Sequence, residues 1–162
     1  VGGVHQVAAV PIKGRVDDHA AALALGVDLG HGALAPEPYV EAADAQLVEA
    51  AFPTTDGGRE AATTLFARKP DLDAIFAFND LVAVGAVQIC LEAGKRVPAD
   101  IAVIGVDDIP LATIFRPQLT TLHVNMLQIG NLLMRTLLDI ITGEISPDAI
   151  QVEPELWIRD SA

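Results

Sequence analysis

Apolar and polar positions fall in blocks along this chain, and the blocks predict strand and helix in alternation. Residues 7–10 form a short apolar run closed by Pro11 and Gly14, which predicts a strand. Asp17 and Asp18 open an Ala/Leu-rich run at 20–25 that stops at Gly26, the pattern of a helix with an acidic start. Gly30, Gly32, Pro36 and Pro38 make 27–45 a loop, and 46–51 fits an edge strand. Thr54, Thr55 and Asp56 are N-cap candidates for a helix reaching Arg68, and Pro70 bars it from running much further. A strand at 74–78, a helix at 80–93 with Gly94 at its C′ position, and a strand at 101–106 follow. The order is that of an α/β domain with three layers, α/β/α, around a mostly parallel sheet.

Two helices are more apolar than one buried face requires. In 80–93, Ala83, Val84, Val87, Cys90 and Leu91 form one apolar face, and Val82, Ala86, Ile89 and Ala93 form a second. Only a stripe around Gln88 and Glu92 is polar, so the second face must meet a neighbouring helix or a partner subunit. In 125–142, Asn125, Gln128, Asn131, Arg135, Asp139 and Thr142 recur every three or four residues as a solvent face. Met126, Ile129, Leu133, Leu137 and Ile140 lie opposite, flanked by further Leu, Met and Ile, and Gly143 ends the helix. Burying that face would contribute on the order of 10 kcal/mol at ~25 cal/mol per Å², so something has to cover it.

Composition narrows the function classes. A chain of 162 residues is about one domain. Apolar residues make up 51% and aromatics 4%, so the core is built from Ala, Val, Ile and Leu. Lys plus Arg number 10 against 22 for Asp plus Glu, a net charge of −12, and no basic stripe exists to meet a phosphate backbone. Cys90, the single cysteine, excludes an internal disulfide, fits a reducing compartment such as the cytoplasm, and sits among apolar residues as a core side chain. No apolar run approaches the ~18 residues of a membrane span. The start has neither an initiator Met nor a signal-peptide pattern, as expected of a piece of something longer or a processed product.

Motifs of catalysis are absent. Ser146 and Ser161 are the only serines, and neither sits in a nucleophile elbow. His5, His19, His31 and His123 have no ligand-like spacing, so no metal is expected, and the glycines form no nucleotide cradle, so no cofactor is expected either. What stands out are two polar pairs at strand ends, Asn79-Asp80 and Asp107-Asp108. Ligands bind outside the carboxyl ends of parallel strands, so both pairs face one crevice. In each pair, Asp80 and Asp108 are expected as helix N-caps. A sensing or binding domain, not an enzyme, is the expectation.

Residues 74–121 resemble the effector-binding core of the LacI/GalR family of bacterial transcription regulators, which has the periplasmic-binding-protein-like fold. The resemblance is carried in order by Asn79-Asp80, Ala93-Gly94, Val97-Pro98-Ala99-Asp100, Gly105-Val106-Asp107-Asp108 and Pro117-Gln118-Leu119-Thr120-Thr121. Glu155-Leu156 and Ile158-Arg159-Asp160-Ser161 resemble that family's C-terminal end. The likeness is strong over 46–162 and faint over 1–45. Two departures are Val106, where an aromatic is usual, and Asp18, where Gly is common.

The resemblance implies that Asn79 and Asp107 contact a small effector, with Arg15 offering a donor fork and Phe52 an aromatic stacking face. It implies a homodimer with Val84, Ile114 and Phe115 at interface positions. Residues 1–119 and 150–162 would form a C-terminal subdomain, and 122–143 would pack on a first subdomain that this sequence lacks. Half of an inter-subdomain cleft would then be present, and operator DNA would be met only through an absent headpiece. The effector class implied is a sugar or related polyol. A solute-binding protein of a transporter shares the two-lobed fold and is the alternative, and an isolated α/β module that binds nothing is a third reading.

Overall fold

The computed structural model describes the backbone of residues 6–9 and 46–49, and backbone and side chains over 52–143 and 152–162. Its elements are β1 (Gln6–Ala9), β2 (Gln46–Glu49), α1 (Thr55–Arg68), β3 (Ala74–Ala77), α2 (Asp80–Glu92), β4 (Ala102–Asp107), α3 (Pro110–Ile114), β5 (Thr120–His123), α4 (Met126–Thr142) and β6 (Glu155–Trp157). The strands form one open sheet in the order β2-β1-β3-β4-β5-β6. The central β3, β4 and β5 run parallel, whereas β1 opposes both its neighbours and β6 opposes β5. Because β2 opposes β1 and β1 opposes β3, four of the six strands (β2 to β5) share one direction.

The expected strands at 74–78 and 101–106 appear within a residue of their predicted ends, and β2 is an edge strand as its composition implied. The expected strand at 7–10 appears one residue earlier as β1. The helix at 20–25 and the loop at 27–45 lie outside the described residues. Three short elements carry no local signal of their own: α3, β5 and β6. Thr54 caps α1, its side-chain oxygen accepting from the Gly57 N–H at 3.2 Å. Ala93 caps α2, and Gly94 at φ +74° takes the left-handed C′ position that a Cβ would strain.

Burial on both sheet faces follows from the apolar strands. Ile75, Ala77 and Val103 meet α1 and α2 in the core, while Ala74, Ala102, Ile104 and Leu122 on the other face are also buried, as a three-layer arrangement requires. The second apolar face of α2 is covered by a neighbouring helix. Helix α1 crosses it with the backbones in contact: a Cβ on Gly58 would lie 2.2 Å from the Val82 carbonyl oxygen, and one on Gly85 2.1 Å from that of Thr55. The narrow polar stripe of α2 lies along the same crossing, where Arg59 donates to Gln88 at 3.1 Å and to both carboxylate oxygens of Glu92 at 2.8 and 3.0 Å. Cys90 is buried beneath, and burial pushes its thiol pKa up to about 11.

Helix α4 is different in kind. Asn125 caps it, accepting from the Gln128 N–H at 3.0 Å, and Gly143 ends it at φ +76°. None of its residues is buried, and Leu127, Leu133, Leu137 and Ile141 stand open to solvent.

Two outcomes test this packing. Gly58→Ala, which drives a methyl into the α2 backbone, is expected to cost about 1–3 kcal/mol or more in urea unfolding; an unchanged midpoint would contradict the close crossing. The Cys90 thiol is expected to resist a disulfide reagent at pH 8 in the native protein and to react at the rate of unfolding.

Candidate functional site

Strand register brings the polar pairs to one edge. In the parallel run Phe76 sits beside Ile104, and Asp107 sits beside His123, so Asn79, two residues past β3, falls level with the ends of β4 and β5. Strand β6 begins at the same edge, Glu155 beside His123. Strand β2 runs with β3 and ends at Glu49, so Phe52, three residues on, belongs to this edge as well.

Asn79 is the N-cap of α2: its side-chain oxygen accepts from the Val82 N–H at 2.9 Å. Among the described residues the amide nitrogen makes only a long 3.5 Å approach to the Pro53 carbonyl, which leaves donor capacity there. The expectation that Asp80 is the cap is corrected here. Asp80 is the first helical residue and is wholly buried. Its carboxylate accepts from the Thr121 hydroxyl at 2.6 Å and from the Ile109 N–H at 2.9 Å. Burial pushes its pKa up, and those two hydrogen bonds act in the opposite direction. A Cβ on Gly105 would stand 2.2 Å from the carboxylate, so glycine there makes the room.

Asp107 ends β4 at φ +105° and Asp108 follows at φ +56°, two consecutive non-glycine residues in the left-handed half of the map. The Asp107 side chain is exposed and has no hydrogen-bond partner among the described residues; partial desolvation pushes its pKa up. Asp108 does not cap the next helix, which corrects the second expectation: Ile109 holds the cap position of α3 with no side-chain bond, and Pro110 needs no donor partner there. Instead Asp108, with a side chain 9% exposed, turns inward. It accepts from Arg159 at 2.5 Å and pairs with Nδ1 of His123 at 2.9 Å. The His123 ring stacks on Trp157, centroids 4.0 Å apart and 6° from parallel. Arg159 also donates to the Leu119 carbonyl at 2.8 Å.

Phe52 is 68% exposed, Ile114 70% exposed, Phe115 half-buried against the core, and Val84 only 3% exposed within it. Arg15 lies outside the described residues. His123, Trp157 and Arg159 were not singled out as site residues by sequence reasoning. Their partners are 15 and 51 residues away, so no local spacing could reveal them. Among the described residues no group of three or more His, Cys, Asp or Glu is arranged to hold a metal, and no helix is long and apolar enough to cross a membrane.

Comparison with known proteins identifies the family. Residues 19–162 match the family profile described as a periplasmic binding protein-like domain. The transcriptional regulator CelR of Thermobifida fusca is 38% identical over 109 residues, covering 67% of this chain and 32% of the relative. A solved transcriptional regulator CelR–cellobiose complex superposes with a TM-score of 0.65 at 37% identity, covering 68% of this chain and 34% of that one. A LacI family regulator from Arthrobacter sp. FB24, in complex with lactose, gives 0.61 at 34% identity, covering 67% and 41%. The chain thus spans about a third of the length of the curated relatives it matches. It belongs to the periplasmic-binding-protein-like domain family, in the form carried by LacI-type transcriptional regulators.

Proposed function

We propose that this chain is part of the effector-sensing domain of a DNA-binding transcriptional regulator and that its effector is a sugar. The observation that carries the reading is Asp107: an exposed carboxylate without a hydrogen-bond partner among the described residues, at the carboxyl edge of the parallel strands, where the Asn79 amide nitrogen makes only a long bond to the Pro53 carbonyl among those residues. A carboxylate accepts from two vicinal hydroxyls, and the Asn79 amide nitrogen donates to a hydroxyl oxygen. Phe52 offers an apolar ring face, and Arg15 would add a donor fork. Relatives solved with cellobiose and lactose support the sugar class.

On this reading the other half of the cleft comes from a first subdomain, which also covers α4, and ligand closure shifts the spacing of a DNA-binding headpiece. The net charge of −12 fits contact with operator DNA through that headpiece and not through these residues. The protein would act as a cytoplasmic homodimer. Of the three interface positions Ile114 is the one open to a partner, Phe115 stands half-buried behind it, and Val84 lies beneath. Naming of the relatives as regulators favours this reading over a transporter's solute-binding protein.

A thermal-shift screen of the full-length protein against cellobiose, lactose and related sugars is expected to find a ligand that raises the melting temperature of the parent and not of Asp107→Ala. Because Asn79 is also a cap, Asn79→Ala alone would confound stability with binding, costing about 1 kcal/mol. Asn79→Ser keeps a capping oxygen and removes the amide donors, so it is expected to melt close to the parent and still lose the ligand shift. A ligand shift that survives Asp107→Ala and Asn79→Ser would move the site elsewhere. For α4, Leu137→Ala in the full-length protein is expected to cost about 2–4 kcal/mol if a subdomain covers the helix; an effect below ~0.5 kcal/mol would mean that the face stays open.

A further inference from the structure

Asp107 and Asp108 are neighbours in one left-handed stretch of backbone with opposite surroundings. One carboxylate is exposed and unpartnered among the described residues, and the other is nearly enclosed and doubly bonded. A non-glycine residue held at positive φ persists only where its surroundings over-determine it. Two restraints meet on this turn. From one side the Ile109 N–H is held by the buried Asp80 carboxylate at 2.9 Å. From the other, Asp108 is held by Arg159 at 2.5 Å and His123 at 2.9 Å.

Those two partners are themselves braced. Arg159 donates its backbone N–H to the Thr120 hydroxyl at 2.9 Å and its guanidinium to the Leu119 carbonyl at 2.8 Å. His123 is stacked on Trp157 and pairs in the sheet with Asp107 itself. Asp108 therefore ties the turn after β4 to the end of β5, through His123, and to the segment after β6, through Arg159.

We infer that Asp108 is a positioning residue: clamped by Arg159 and His123, it holds the backbone that presents Asp107 to the effector. It touches no ligand. The inference rests on the reading of Asp107 as an effector contact, and the test separates the two. A merely structural ion pair would lower stability when broken and leave Asp107 where it is.

The experiment uses the full-length protein, selectively labelled with 15N-aspartate, with Arg159→Gln as the perturbation because it is remote from Asp107 in sequence. In the ligand-free state Arg159→Gln is expected to move and broaden the Asp107 amide signal. In calorimetry with cellobiose as the probe it is expected to weaken binding roughly tenfold, and to weaken it no further when added to Asp107→Asn. Arg159→Lys, which keeps the charge and loses the fork, is expected to lie between and serves if the Gln variant does not fold. An unchanged Asp107 signal in a folded variant, or an equal loss of affinity with and without the Asp107 carboxylate, would overturn the inference. If cellobiose does not bind the parent, the sugar assignment loses its support while the amide signal still decides the role of Asp108.

Discussion

A carboxylate enclosed among apolar residues needs full hydrogen-bond satisfaction to remain there, and that of Asp80 has it from two directions. The Thr121 hydroxyl donates to one oxygen and the Ile109 N–H to the other. Asp80 opens α2, Ile109 follows β4, and Thr121 belongs to β5, so one side chain ties three carboxyl-edge segments together. The arrangement constrains its neighbours in turn. Gly105 must lack a Cβ, since one would stand 2.2 Å from the carboxylate, and the turn at 107–109 must present an N–H inward. Removing one partner would leave a buried polar group unpaired, which costs more than the hydrogen bond contributed.

Rigidity around that point is built by close backbone packing. Gly58 and Gly85 let α1 and α2 meet main chain to main chain, and the Arg59 fork on Glu92 and Gln88 closes the crossing at the surface. Ser161 stitches the end of the chain into the same sheet: its hydroxyl donates to the Val103 carbonyl at 2.6 Å and accepts from the Thr120 N–H at 2.8 Å. The candidate site therefore sits on strand ends and a helix cap, not on a free loop. Positional precision of this kind is what a binding site needs if few polar groups are to select a ligand.

On the proposed reading the two adjacent acids divide work that a single loop residue could not do. An exposed carboxylate alone in a left-handed turn would sample other conformations, and a fully paired one would have nothing left for a ligand. Among the described residues Asp107 keeps its acceptors free, and Asp108 gives its own to Arg159 and His123. Helix α4, with a wide apolar face and no buried residue, contrasts with this braced edge.

Local rules determined a good deal of this protein. Hydrophobic runs located β3, α2 and β4 to within a residue or two, and Gly94 and Gly143 located the C-terminal ends of α2 and α4, because these signals act over three or four residues. The order of strands and helices predicted that both polar pairs meet at the carboxyl edge, and Asn79 and Asp107 stand there. Several things could be decided only by the tertiary structure: that Asn79, not Asp80, caps α2; that Asp108 bonds Arg159 and His123 instead of capping α3; and that the second face of α2 meets α1. Short elements such as α3, β5 and β6 were likewise illegible, since runs of three to five residues form only where the sheet and the loops around them supply hydrogen-bond partners. A side chain's local possibilities are written in its neighbours in sequence. Which of them it adopts depends on partners that the fold brings from as far as 51 residues away.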